Sequence, residues 1–212
     1  VTFAPGGWSL YLCTPIRDDL DEFVARCVEG GVGVVQLRDR DHDDRTLYRA
    51  AVALGERCRD LGVPFVVNDR CDVAIASGAD GVHVGQDDLP AERCRAILGE
   101  HAVVGLSTHA RAELDAALDA PVSYLSAGPV EPTPTKPGRG GTGVAYAVEA
   151  ARRARVPVYV TGGVTAARIP ALAEAGLRHF VVVRALTESP DPRAAARELV
   201  GAIERAVGQP SR

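Results

Sequence analysis

The residues able to do chemistry lie in short polar clusters, each following an apolar run. Gln36-Leu37-Arg38-Asp39-Arg40 places one amide and two guanidiniums at alternate positions, so Gln36, Arg38 and Arg40 share one side of an extended segment. Guanidiniums grip phosphate oxygens in a fork geometry, which suits a diphosphate. The alternative is a surface salt-bridge cluster with Asp39 and Asp41. Asn68-Asp69-Arg70 and Gly85-Gln86-Asp87-Asp88 bring carboxylates. Two acids from neighbouring segments can hold one hard cation, and magnesium binds through one or two carboxylates with water and phosphate oxygens completing its shell. The same acids could cap helices instead, Asp69 before Cys71 and Asp87 or Asp88 before Pro90.

Further along, Ser107-Thr108-His109 offers hydroxyls to a phosphate oxygen or to a helix start near Ala110. His83 and His109 read as structural more readily than as acid–base groups. Pro132-Thr133-Pro134-Thr135-Lys136 sets two hydroxyls and an ammonium on a proline-stiffened stretch, suited to phosphate capture or to a lid, with an ordinary surface loop as the alternative. Gly162-Gly163 lets backbone N–H groups approach an anion, and Val183-Arg184-Ala185 follows the last apolar run. Together these clusters describe two phosphate sites and a metal, and hence two phosphorylated substrates held face to face.

The elements that would position them recur along the chain. Apolar runs rich in Val stand at Leu10–Cys13, Val34–Leu37, Phe65–Asn68, Gly81–Val84, Val103–Leu106, Tyr124–Ala127, Val158–Thr161 and Phe180–Val183, as strands buried on both faces require. Amphipathic stretches separate them. Asp19–Glu29 aligns Leu20, Phe23, Val24 and Cys27, and Thr46–Leu61 aligns Leu47, Ala50, Leu54 and Cys58. Further helices are expected from about Asp72, Pro90, Arg111, Ala145, Ala167 and Pro192. Gly30, Gly62, Gly78, Gly99 and Gly176 follow helices, where a left-handed residue is usual. Repeated β-α units predict a (β/α)8 TIM barrel, with an open doubly wound sheet as runner-up. Residues 1–212 read as one domain with its site at the C-terminal strand ends. The long Gly128–Thr142 connection is the one loop whose length calls for a function.

Composition narrows the function classes. Of 212 residues, 46% are hydrophobic and 5% aromatic, so the core is built from Val, Leu, Ile and Ala. A net charge of -4 without a basic stretch argues against nucleic acid and membrane surfaces. Five cysteines, widely spaced and without a Cys-x-x-Cys pair, fit a reducing compartment rather than a disulfide framework or a zinc site. No apolar run reaches the length of a membrane span and no leader is evident, so a cytoplasmic location is expected. Oligomeric state is left open.

These clusters, together with Val67-Asn68-Asp69-Arg70, Gly81 to Pro90, Gly105 to His109 and Gly162-Gly163-Val164, resemble the thiamine-phosphate synthase family in order and spacing over nearly the whole chain. The resemblance implies that Gln36, Arg38, Arg40, Asn68, Ser107 and Lys136 bind the diphosphate of an aminopyrimidine. It implies that Asp69 and Asp88 hold Mg2+, and that Thr133, Pro134, Thr135, Gly163, Val183 and Arg184 hold a thiazole phosphate. Arg38, Ser107 and Lys136 would assist pyrophosphate departure, and the thiazole nitrogen would capture the resulting pyrimidine carbocation. Two positions depart from the family pattern: Arg40 stands where Lys is usual, and Arg184 where Ser is common. The competing readings are a thiazole tautomerase, which places a histidine where this chain has Gly128, and a non-catalytic phosphate sensor.

Overall fold

The structure, a computed structural model, describes residues 8–132 and 140–207. Its strands are β1 (Leu10–Thr14), β2 (Val34–Leu37), β3 (Phe65–Asn68), β4 (Gly81–Val84), β5 (Val103–Thr108), β6 (Tyr124–Ala127), β7 (Val158–Val160) and β8 (His179–Val182). Between them run α1 (Leu20–Glu29), α2 (Asp44–Leu61), α3 (Cys71–Ser77), α4 (Ala91–Leu98), α5 (Arg111–Ala117), α6 (Val144–Arg153) and α7 (Ile169–Glu174). A short α8 (Arg184–Thr187) and a long α9 (Pro192–Val207) follow β8. All eight strands pair in parallel, each with its sequence neighbour, and β1 pairs with β8 to close the barrel. This is the (β/α)8 architecture; the open sheet is excluded because the barrel closes and, among the described residues, no strand is left at an edge. Among the described residues, no helix is long and apolar enough to cross a membrane.

Strand alternation divides the buried side chains into two populations. Outward positions such as Leu12, Val35, Val67, Val82, Leu125 and Phe180 pack against the helices in one continuous apolar layer. Inward positions, Tyr11, Val34, Val66, Val103, Tyr124 and Tyr159, form a second and much smaller cluster inside the barrel. Moving along each strand towards its C-terminal end, the inward positions turn polar. Tyr11 gives way to Cys13, Val34 to Gln36, Val66 to Asn68, Gly81 to His83 and Tyr124 to Ser126. The barrel is therefore largely apolar below and polar above, which fixes the end that can receive a ligand.

The helices are held by the forces their sequences imply. On α1 the residues Phe23, Val24 and Cys27 are buried against the sheet. The α2 N-terminus is capped by Asp43, whose carboxylate accepts from Thr46 N at 3.0 Å, and the helix ends at left-handed Gly62. One expectation fails: Gly30 keeps a right-handed φ of −81°, and the reversal after α1 falls on Gly31 at +105°.

Candidate active site

A cavity of about 850 Å³ opens at the C-terminal mouth of the barrel. One side of it carries Gln36, Arg38, Arg40, Asn68, Asp69, Asp88 and Ser107, and the other carries Gly163, Val183 and Arg184. The barrel thus brings together, from six strand ends, every described residue to which the resemblance gives a part in substrate or metal binding. Thr133, Pro134, Thr135 and Lys136 lie outside the described residues.

After β2 the acids do not form the salt-bridge cluster that local sequence allowed. The Asp39 carboxyl, 3% exposed, turns inward and accepts from the backbone N–H groups of Ile16, Asp41 and His42 at 3.0, 3.1 and 3.0 Å. Burial would raise its pKa, but these bonds and the His42 ring outweigh it and hold the carboxyl below the ordinary range. Asp39 is thereby a staple for the loop, and its neighbours are left to face the cavity. Arg38 makes no side-chain hydrogen bond or ion pair among the described residues, so its guanidinium is available to an anion.

The carboxylates of the β3 and β4 ends converge. Asp69 sits at φ +62°, the one non-glycine among the described residues at positive φ, in a tight turn where Arg70 N donates to Asn68 O at 2.7 Å. Such a backbone costs on the order of 1–3 kcal/mol and persists where surrounding structure holds it, often at functional sites. Asp69 N also donates to His83 O at 2.7 Å, tying the turn to β4. Gly85 N donates to Asp88 Oδ2 at 2.7 Å, which aims the second carboxylate at the first. Arg40 Nη2 reaches Asp69 Oδ2 at 2.6 Å. Burial and the Asp88 carboxyl raise the Asp69 pKa, against the opposing pull of Arg40. Two carboxylates held within reach of each other, with the charge of one disfavoured, form a site that a divalent cation would relieve. Among the described residues no group of three or more His, Cys, Asp or Glu side chains gathers as a protein-only metal cage would. Two carboxylates, with water and phosphate completing the shell, fit magnesium rather than zinc.

None of these acids caps a helix. The N-termini of α3, α4 and α5 fall at Arg70, Pro90 and Ala110 without a side-chain cap, and Glu113 satisfies His109 N at 2.7 Å. Ser107 and Thr108 belong to β5, which runs two residues further than its apolar pattern.

Across the mouth the chain is backbone-rich. Gly162 and Gly163 adopt φ +90° and +69°, and a Cβ on either would collide, at Gly162 with Pro129 and at Gly163 with Arg168 and Glu131. Arg168 donates to Gly163 O at 2.9 Å and pairs with Glu131 at 2.7 Å, which rigidifies the turn. Val183 precedes the first residue of α8, and Val183, Arg184 and Ala185 of that turn line the same space. Arg184 lies exposed at the rim, with no ion pair among the described residues.

Sequence reasoning missed the layer beneath these groups. Tyr11, Cys13, Tyr124 and Ser126 also line the cavity; the two phenols and His83 connect Gln36 to Ser107, and the Cys13 thiol donates to Gln36. The available signal was a tyrosine at an inward position of β1 and of β6, where a buried phenol needs a partner.

Comparison with known proteins places the chain in a family. A family model described as thiamine monophosphate synthase matches residues 10–186. A thiamine-phosphate synthase from Mycobacterium sp. (strain JLS) is 44% identical over 208 residues, covering 92% of each chain. Another from Thermobifida fusca (strain YX) is 46% identical over 196 residues, covering 90% of this chain and 89% of the relative. Among solved structures, thiamine phosphate pyrophosphorylase from Pyrococcus furiosus matches with a TM-score of 0.86 at 28% identity, covering 96% of this chain and 98% of that one. With the family model matching most of its length and such relatives aligned almost end to end, the chain belongs to the thiamine monophosphate synthase family.

Proposed function

We propose that the chain condenses 4-amino-2-methyl-5-(diphosphomethyl)pyrimidine with 4-methyl-5-(2-phosphoethyl)thiazole, or its 2-carboxy form, to give thiamine monophosphate and pyrophosphate. The observation that carries this reading is the meeting of two unlike anion sites in one cavity. One side holds guanidiniums and paired carboxylates, the other holds glycine backbone and a helix start. Arg38, Asn68 and Ser107 bind the diphosphate, and Arg40 bridges it to Asp69. Lys136 adds a further positive charge, and Thr133, Pro134 and Thr135 with Gly163, Val183 and Arg184 hold the thiazole phosphate. Gln36 is already committed inward, with Nε2 donating to Tyr11, Oε1 accepting from Cys13 and the amide also bearing on the Tyr124 hydroxyl, so little of it is left for the anion.

Asp69 and Asp88 would hold Mg2+, which supplies positive charge to the oxygens of the leaving diphosphate. The chain's own groups do the rest. Donors aimed at the departing oxygens favour cleavage of the methylene C–O bond, whose electron pair leaves with pyrophosphate. The facing pocket keeps the thiazole nitrogen in line to form the new C–N bond, so the protein needs no nucleophile of its own. A thiazole tautomerase would have no use for the Asp69–Asp88 pair, and position 128 carries Gly rather than His. Five buried cysteines with no disulfide between them support a reducing, cytoplasmic setting.

The test is to incubate purified protein with both substrates and magnesium and to assay thiamine phosphate and pyrophosphate. Product that disappears on chelation and in an Asp69→Ala/Asp88→Ala variant is the expected result. No product from folded protein that still binds the thiazole phosphate overturns the proposal in favour of the tautomerase or sensor.

A further inference from the structure

We propose that Tyr11, Tyr124 and His83 are positioning residues, forming a one-way hydrogen-bond relay that starts at Gln36 and sets the Ser107 hydroxyl as a donor into the cavity. The proposal rests on the reading above, in which Ser107 meets an oxygen of the leaving diphosphate.

The direction follows from counting protons. Cys13 Sγ donates to Gln36 Oε1 at 3.2 Å, which turns Nε2 of the same amide towards Tyr11 Oη at 2.9 Å. An amide nitrogen only donates, so Tyr11 Oη accepts and its single proton goes to Tyr124 Oη at 2.8 Å. Tyr124, having accepted, directs its own proton to His83 Nδ1 at 2.9 Å. A neutral imidazole whose Nδ1 accepts carries its proton on Nε2, and that N–H donates to Ser107 Oγ at 2.8 Å. Ser107 Oγ has then received one proton and keeps its own for whatever enters the cavity, which it lines. Burial pushes both phenols well above their ordinary range, so each retains the proton it must pass on.

Two further features fit a device built for this alignment. The His83 ring stacks on Tyr124 with centroids 5.5 Å apart and planes 19° apart, which fixes the imidazole while its edges hydrogen-bond. Position 105, between them, is glycine. A Cβ there would strike the Tyr124 ring and hydroxyl and His83 Nδ1, the very atoms of the central bond. The relay also has an opposite sense: with the Gln36 amide reversed, every bond inverts, and Ser107 would donate to His83 and present lone pairs to the cavity. An acceptor would repel a diphosphate, so the amide orientation decides whether the serine binds the leaving group.

The decisive measurement is long-range 1H–15N correlation on histidine-labelled enzyme near neutral pH, with His83→Gln identifying the signal. The expected result is the Nε2–H tautomer in the free enzyme and a mixed tautomer in Tyr124→Phe, which keeps the ring and removes the donor to Nδ1. An Nδ1–H tautomer in the parent protein, or an unchanged tautomer in Tyr124→Phe, overturns the relay. Turnover gives the second readout. Tyr124→Phe should lower kcat about tenfold, the effect of one misdirected hydrogen bond, while KM for the thiazole phosphate holds. In a Ser107→Ala background it should add nothing. Independent, additive losses also overturn the relay. If the parent protein makes no product, the functional reading fails by itself, and the tautomer measurement still decides the relay.

Discussion

The barrel has two buried regions built on different rules. The layer between sheet and helices is apolar and continuous, and each of its side chains is one among many neighbours. The interior holds a few aliphatics, three tyrosines and a run of polar groups whose members each have a specific partner. In the first region substitution costs stability in proportion to the volume lost, since burial is non-directional. In the second, a change of a few atoms alters a geometry while leaving most of the buried area in place. One region makes the protein stand, and the other decides what it can do.

The comparison can be broken most directly from the inner side. Asp69→Ala combined with Asp88→Ala, or removal of divalent ions by a chelator, should lower turnover by about a thousandfold or more in steady-state assays. Thermal unfolding should move little, because removing two facing like charges offsets the lost bonds to Arg40 and Gly85. A large loss of melting temperature would show that these acids belong to the structural region after all. From the outer side, Phe180→Ala should cost about 3–5 kcal/mol in denaturant unfolding, with kcat unaltered wherever the variant is still folded.

Two smaller effects sharpen the boundary. Asp39 lies in the mouth but acts as a staple, so Asp39→Asn should behave as a stability variant, losing about 1 kcal/mol at neutral pH. The folded carboxyl has a lowered pKa, so its contribution is present above the unfolded value of about 3.9 and is lost as pH falls through the folded value. Urea midpoints of the two proteins should therefore converge in acid, and a gap that persists there would assign the effect to packing. Least of all, Arg184→Ser should change KM for the thiazole phosphate by no more than about twofold, because the α8 start can offer backbone N–H groups whatever the side chain. A larger rise would make the guanidinium itself a ligand.

How far the molecule was legible depended on whether a feature was local. Val34–Leu37, Phe65–Asn68, Gly81–Val84 and Tyr124–Ala127 are strands over the whole of their apolar runs, since a strand buried on both faces leaves a local record. β5 was cut short because Ser107 and Thr108 are polar, yet they ladder with Ser126 and Ala127. The four residues of α8 are too few for helical periodicity to register. The convergence of Arg38, Arg40, Asp69 and Asp88 was readable because barrel closure forces neighbouring strand ends together. The relay was not. Its central bond joins Tyr11 to Tyr124, 113 residues apart, and no spacing rule says which inward side chains meet across a barrel.

Closure carries a cost in time. Leu10, Tyr11 and Leu12 find their partners at Phe180, Val181 and Val182, so the barrel's β1 waits for β8 to be synthesised before its outer edge is covered. Until then a Val-rich sheet exposes open backbone on two sides, the form most prone to pairing with another chain. Among the described residues the folded barrel has no such edge, so its hazard lies in synthesis and refolding. Truncation ahead of His179 would turn a transient exposure into a permanent one.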